Sequence, residues 1–205
     1  MNPDLKQSRI DLACALRWAA RLNLHEGVDN HFSLAVPDDD GVMRGNRFLI
    51  NPYGWHWSEV TASSLVLCND KGEVLEGDNE VEDTAFFIHS RIHIGAPHAI
   101  CVLHTHMPYA TSITLLEEGK LEMIEQNALL FDGRIAYDDE YEGLALASDE
   151  GDRLARKILH PASDLYGAVP AEVRDGLNIP DGLFQLMAGS WNIKELLDDL
   201  TQAFK

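Results

Sequence analysis

Apolar residues recur at helical spacing between Leu5 and Leu24, through Leu12, Leu16 and Ala19 or Ala20, and the stripe stops near Asn23. This predicts an N-terminal helix. Three short runs with strand character follow, His31 to Val36, Arg47 to Ile50 and Leu65 to Cys68, separated by turn-rich stretches at 37–41, 51–54 and 69–72. The last turn, Asn69-Asp-Lys-Gly72, leads into Glu73-Val-Leu75 and reads as a hairpin. Between Glu82 and Ile94 the apolar positions Val81, Ala85, Phe86 or Phe87 and Ile92 return to helical spacing, with Gly95 and Pro97 as the stop. An apolar run from His98 to Leu103 then predicts a further strand. Pro108 to Leu116 and Ser148 to Ile158 read as short helices, the first with proline in its opening turn and the second with an N-cap serine and early acids. Residues 160–189 are rich in Pro and Gly and predict loops. Asn192 to Phe204 recovers a helical stripe.

Composition narrows the class. A chain of 205 residues with 45% hydrophobic and 24% charged residues suits one globular unit spanning 1–205, with an atypical segment at 159–205. No apolar stretch approaches the ~20 residues of a membrane span, and no leader is visible, so a cytoplasmic protein is expected. Cys14, Cys68 and Cys101 are odd in number and set among apolar residues, as reduced core thiols are. With 34 acidic against 16 basic residues the net charge is −18, which repels nucleic acid and anionic membranes and leaves a small molecule as the expected partner.

The chemistry concentrates at His104-Thr105-His106, at the end of the apolar run. A strand sets residues i and i+2 on one face, so both imidazoles can address one metal ion; equally, the pair can close a buried strand through hydrogen bonds. On the preceding helix Glu82, His89 and His93 are spaced i, i+7 and i+11, within about 40° on one face. That face either flanks a metal site or packs into the core.

Four segments together resemble the class II aldolase/adducin family over roughly residues 8–158. Gly27-Val-Asp-Asn-His-Phe-Ser33 is similar to its Gly-Asn-x-Ser loop, and Leu49-Ile-Asn-Pro-Tyr-Gly54 to its Ile-Thr-Pro-Ser-Gly turn. Ser64 to Gly77 follows in the right order, and Cys101-Val-Leu-His-Thr-His-Met-Pro-Tyr-Ala110 is similar to its Val-Val-His-Thr-His-Ser-Pro-Tyr-Ala. The resemblance implies a three-layer α/β/α fold with a largely antiparallel central sheet, and a homotetramer. It also implies a divalent ion, zinc first and Mn, Fe or Co as alternatives, that polarises a carbonyl and a neighbouring hydroxyl in a carbon–carbon lyase reaction.

Carried onto this chain, the resemblance makes His104 and His106 metal ligands and Asn30, Ser33, Tyr53 and Gly54 substrate-binding positions. Tyr109 is a candidate to orient a substrate oxygen, and Tyr137 and Tyr141 are candidates to line a pocket or a subunit contact. Three departures follow. Ala85 stands where the family carries its acid/base glutamate, so Glu82, one turn earlier, is the substitute, or else a solvated acid at the helix start. Tyr53-Gly54 and Asp83-Thr84 replace the small hydroxyl residues of a phosphate cradle, and an aspartate there repels phosphate, which points to a non-phosphorylated substrate. The family's Asn-His-Gly turn is missing, with Ala188 in place of its histidine, so the third ligand is His160 or His89, or is lost. The lyase reading therefore stands beside a non-catalytic, adducin-like binding or assembly domain.

Overall fold

The computed structural model describes residues 3–97, 99–132, 135, 137 and 148–157. Its elements run α1 (Pro3–Arg21), β1 (His31–Ala35), β2 (Arg47–Ile50), β3 (Val66–Asn69), β4 (Val74–Glu76), α2 (Asp83–Gly95), β5 (Cys101–His104), α3 (Pro108–Thr114), a 3-10 turn (Ala128–Phe131) and α4 (Ser148–Lys157). Apart from the 3-10 turn, which the hydrophobic pattern does not predict, these match the expected elements to within a few residues. The expected loops over 160–189, the helix over 192–204, and His160, Tyr141 and Ala188 lie outside the described residues.

The strands form one antiparallel sheet in the order β4-β3-β2-β1-β5. Alternation sorts the two faces. Phe32, Leu34, Leu49, Leu67 and Leu103 face one way and pack with Leu12 and Leu16 of α1 and with Trp57. Phe48, Ile50, Val66 and Cys68 face the other way and pack with Ala85 of α2. Helices α1 and α2 on opposite faces give the α/β/α layering, and α4 lies on α2. Because β4 and β5 occupy opposite edges of the sheet, α2 is the crossover between them, and its inner face covers the strands that carry the histidines.

Local signals explain where the helices stop. Asn23 adopts the left-handed conformation (φ 57°), and the Leu24 N–H reaches back to the Ala19 carbonyl at 2.9 Å, a closure that ends α1. Glu82 caps α2, its carboxylate accepting the Ala85 N–H at 2.7 Å. Helix α4 approaches α2 through Gly151, where a Cβ would lie 2.5 Å from the Phe87 carbonyl oxygen, and Arg91 pairs with Asp152 at 2.6 Å across the same contact.

The loop before β2 is fitted to α2 by Gly45. Its φ of +74° suits glycine, and a Cβ there would lie 2.1 Å from the His93 carbonyl oxygen. Backbone cannot yield as a side-chain tip can. Gly45→Ala is therefore expected to cost about 2–4 kcal/mol in urea unfolding, from the unfavourable φ and the steric overlap together. A loss under 1 kcal/mol would show that the loop relaxes away from α2.

Candidate metal centre

Antiparallel pairing of β1 and β5 sets His31 opposite His104 and Ser33 opposite Val102. Residues directly opposite share a face, so both histidines and Ser33 turn toward α2. His31 Nδ1 lies 3.1 Å from His104 Nδ1, and the ring planes differ by 19°. A centroid separation of 5.1 Å at that nitrogen distance places the rings edge to edge.

The strand ends at His104, so His106 is not its i+2 strand neighbour as the triplet suggested. A different device holds it. The His106 N–H donates to Asn30 Oδ1 at 2.6 Å, and the His104 and His106 rings stand 4.9 Å apart at 82°. Asn30 is itself fixed: its Nδ2 donates to the Glu26 carbonyl, and its own carbonyl accepts from Asn51 Nδ2 and Trp57 Nε1. The buried indole thus anchors the loop that places His106.

His89 and His93 pack into the core, one of the two arrangements left open for their helix face, and Glu82 is the helix cap beside it. Both imidazoles lie within 2.7 Å of Ser33 Oγ, through His89 Nδ1 and His93 Nε2. Their protons can be assigned. His93 Nδ1 lies 2.9 Å from the Ala99 carbonyl, which can only accept, so the proton of this neutral ring is on Nδ1. Ser33 must then donate to His93 Nε2 and accept from His89 Nδ1. What remains is His89 Nε2, unprotonated, buried and without a partner among the described residues. An unprotonated imidazole nitrogen is the form that binds metal.

Burial keeps these rings neutral. It holds His31 at about 4, with Glu82 opposing and His106 reinforcing, and His93 at about 4 against the Ala99 hydrogen bond. His104 is likewise held at about 4 by burial, with His31 and His106 pushing the same way and Glu82 and Asp29 opposing. His89 is pushed well below the ordinary range, by burial first and then by His31, His93 and His104. Burial raises the Glu82 carboxyl, but hydrogen bonds from Thr84 and the Ala85 N–H outweigh it and leave the group below the usual carboxylate range. Its Oε2 lies 3.6 Å from His31 Nε2, a buried nitrogen with no hydrogen-bond partner among the described residues. Burial also raises the Cys68 thiol to about 11 and Cys101 to about 12, so neither is a thiolate nucleophile.

His104 and His106 therefore have the donor chemistry and proximity of a ligand pair, with His104 in the ligating charge state. His31 and His89 adjoin them; no proton occupies the His89 nitrogen. Among the described residues, however, no group of three or more His, Cys, Asp or Glu side chains is arranged to hold a metal ion. The other expected positions scatter. Asn30 and Ser33 have no exposed surface, Tyr53 and Gly54 sit on an exposed turn, Tyr109 is 88% exposed in the first turn of α3, and Tyr137 Oη accepts the Leu121 N–H at 2.9 Å. The Tyr53 turn is tied to the approach to α2, its N–H donating to the Glu80 carbonyl. The Ala85 methyl is buried among Phe48, Ile50, Val66 and Cys68, so no carboxylate stands at that position.

A family profile described as "Class II Aldolase and Adducin N-terminal domain" matches residues 10–166. The chain belongs to this family. An adducin-related protein of Schizosaccharomyces pombe is 33% identical over 156 residues, covering 74% of this chain and 46% of the relative. The chain spans about half the length of such curated relatives. A crystal structure of an aldolase II superfamily protein from Pseudomonas syringae shares 33% identity at a TM-score of 0.68, over 77% of this chain and 61% of that one. An L-fuculose 1-phosphate aldolase from Glaciozyma antarctica PI12 shares 26% identity at a TM-score of 0.60, over 72% and 59%. Class II aldolases generally use a divalent metal.

His31 is the site residue that the expected set lacks. The sequence carried a signal for it, since His31 lies two residues before Ser33 on a predicted strand, but its neighbour His104 is fixed only by the β1–β5 register.

Ser33→Ala removes the shared partner of two buried nitrogens and is expected to cost about 2–4 kcal/mol, measured by denaturant unfolding. An unchanged midpoint would contradict the proton assignment. His93 contributes to the pH dependence together with His31, His89 and His104, each held below the ordinary 6.5, with His93 near 4. The unfolded chain takes up these protons first, so stability is intact above pH 6.5 and falls as pH drops toward 4. The His93 share of the loss is about 3 kcal/mol when fully developed, from ~1.4 kcal/mol per unit. In metal-free buffer His93→Gln should make that limb less steep, with the other three histidines keeping the remainder; an equally steep limb in the variant would exclude His93 as a source.

Proposed function

We propose that this domain binds a divalent ion through His104 and His106 and serves a carbon–carbon lyase acting on a small, non-phosphorylated hydroxy-carbonyl or hydroxy-acid. The observation that carries the reading is the pair itself: two imidazoles 4.9 Å apart, one kept neutral by burial, and the other placed by an asparagine that the protein holds from three sides. The ion, zinc first, supplies Lewis acidity toward a carbonyl oxygen and its neighbouring hydroxyl. The third donor in this reading is His160 or His89, and the unprotonated Nε2 of His89 supports the latter.

The residues around the pair divide the remaining work. Glu82 is ionised in the neutral range, the state that a general base requires, and it adjoins His31. Asn30 and Ser33 act through the imidazoles they hold. Tyr53, Gly54 and Tyr109 are open to a substrate, and Asp83 in the exposed first turn of α2 disfavours a phosphate there. Leu115, Leu116, Ile124, Leu129 and Leu130 are exposed among the described residues and support the association of copies into a tetramer. No described helix is long and apolar enough to cross a membrane.

One observation favours the second reading, a non-catalytic adducin-like binding domain. The Ala85 position is closed by apolar packing, so the family's proton carrier has no counterpart there. Metal analysis separates the two. The lyase reading predicts about one equivalent of Zn²⁺, Mn²⁺, Fe²⁺ or Co²⁺ per chain after growth with metal, lost in the His104→Ala/His106→Ala double variant, and turnover that drops in Glu82→Gln. A folded protein without metal under those conditions supports the binding domain.

A further inference from the structure

The Glu82–His31–His104 line carries an assignment beyond the ligand pair. His31 Nε2 is buried, has no hydrogen-bond partner among the described residues, and faces Glu82 Oε2 at 3.6 Å. A nitrogen lone pair opposed to a carboxylate is repelled, whereas an N–H is attracted, and the effect is large where water is excluded. The proton of neutral His31 therefore sits on Nε2, and its Nδ1 is an acceptor. His104 Nδ1, 3.1 Å away, must supply the proton of that edge-to-edge hydrogen bond. His104 then has its proton on Nδ1 and an unprotonated Nε2.

We propose that His31 and Glu82 are positioning residues which fix the His104 tautomer, so that His104 presents an unprotonated Nε2 as its metal-binding atom. A carboxylate, one intervening imidazole and the ligand imidazole form the line. A partner on the far nitrogen of a ligating histidine orients the ring and raises its basicity, and its loss typically costs 10–100-fold in metal affinity. The assignment also gives Glu82 a function that needs no proton transfer with substrate. It parallels the deduced chain on the same sheet face, where the Ala99 carbonyl, His93 and Ser33 leave His89 Nε2 unprotonated.

The relevance of the tautomer to metal rests on the proposed metal site, but the tautomer itself does not, and the test keeps them apart. In the metal-free full chain labelled with ¹⁵N, long-range ¹H–¹⁵N correlation reads each ring nitrogen as protonated or not, with assignments from single histidine variants. The expected result is a protonated Nδ1 and an unprotonated Nε2 on His104, and the reverse on His31. His104 protonated on Nε2, or a mixture unaffected by Glu82→Gln, overturns the proposal. Zn²⁺ titration adds the functional arm. His31→Leu should weaken binding about 10–100-fold, while His31→Gln, whose amide oxygen can accept the same proton, should restore most of it. Equal affinities in His31→Leu and the unsubstituted protein overturn the positioning role. If the protein binds no Zn²⁺ at all, the metal site is refuted and the ring-nitrogen assignment still decides the tautomer.

Discussion

The register between β1 and β5 is the constraint on which the rest of the site depends. It places His31 against His104 and Ser33 against Val102, on the face that α2 covers. A slip of one residue would turn these groups to the opposite face, where Phe32, Leu34 and Leu103 meet α1 and Trp57. Hydrophobic sorting on one face thus fixes polar chemistry on the other. The leucines and aromatics that bury α1 are the reason that the imidazoles meet.

Burying several imidazoles carries a penalty that the fold contains through hydrogen bonding. The rings stay neutral, and protons are handed along from fixed acceptors: a backbone carbonyl for His93, Ser33 and His89, and a carboxylate for His31 and His104. Neutral rings avoid the desolvation cost of a buried cation, and each chain ends on a nitrogen without a proton. Stability and ligand chemistry therefore have one origin here. The same burial that depresses the histidines keeps them in the neutral form that the proposed metal site requires.

The periodic elements were legible in the sequence because their signals are local. Arg47–Ile50 coincides with its strand, the Asn69–Gly72 turn joins an antiparallel pair, and Glu82 marks the start of α2. The class II aldolase/adducin fold was legible through motifs in order and spacing. Less could be read of how side chains meet. The His104-Thr105-His106 spacing suggested a shared strand face, but the strand stops one residue after Leu103 and a side chain from the β1 entrance, Asn30, places His106 instead. His31 escaped notice because its importance lies in a partner 73 residues away. Helical spacing could group Glu82, His89 and His93, yet could not tell a capping carboxylate from two buried rings that clamp a serine.

Anomalous diffraction from a crystal of the full chain grown with zinc, measured on both sides of the zinc edge, locates the ion that the histidine pair would hold. An anomalous peak is expected within bonding distance of His104 and His106. A peak only at His25 and His56, a close histidine pair elsewhere in the fold, or no bound zinc beside ordered His104 and His106 side chains, would contradict it.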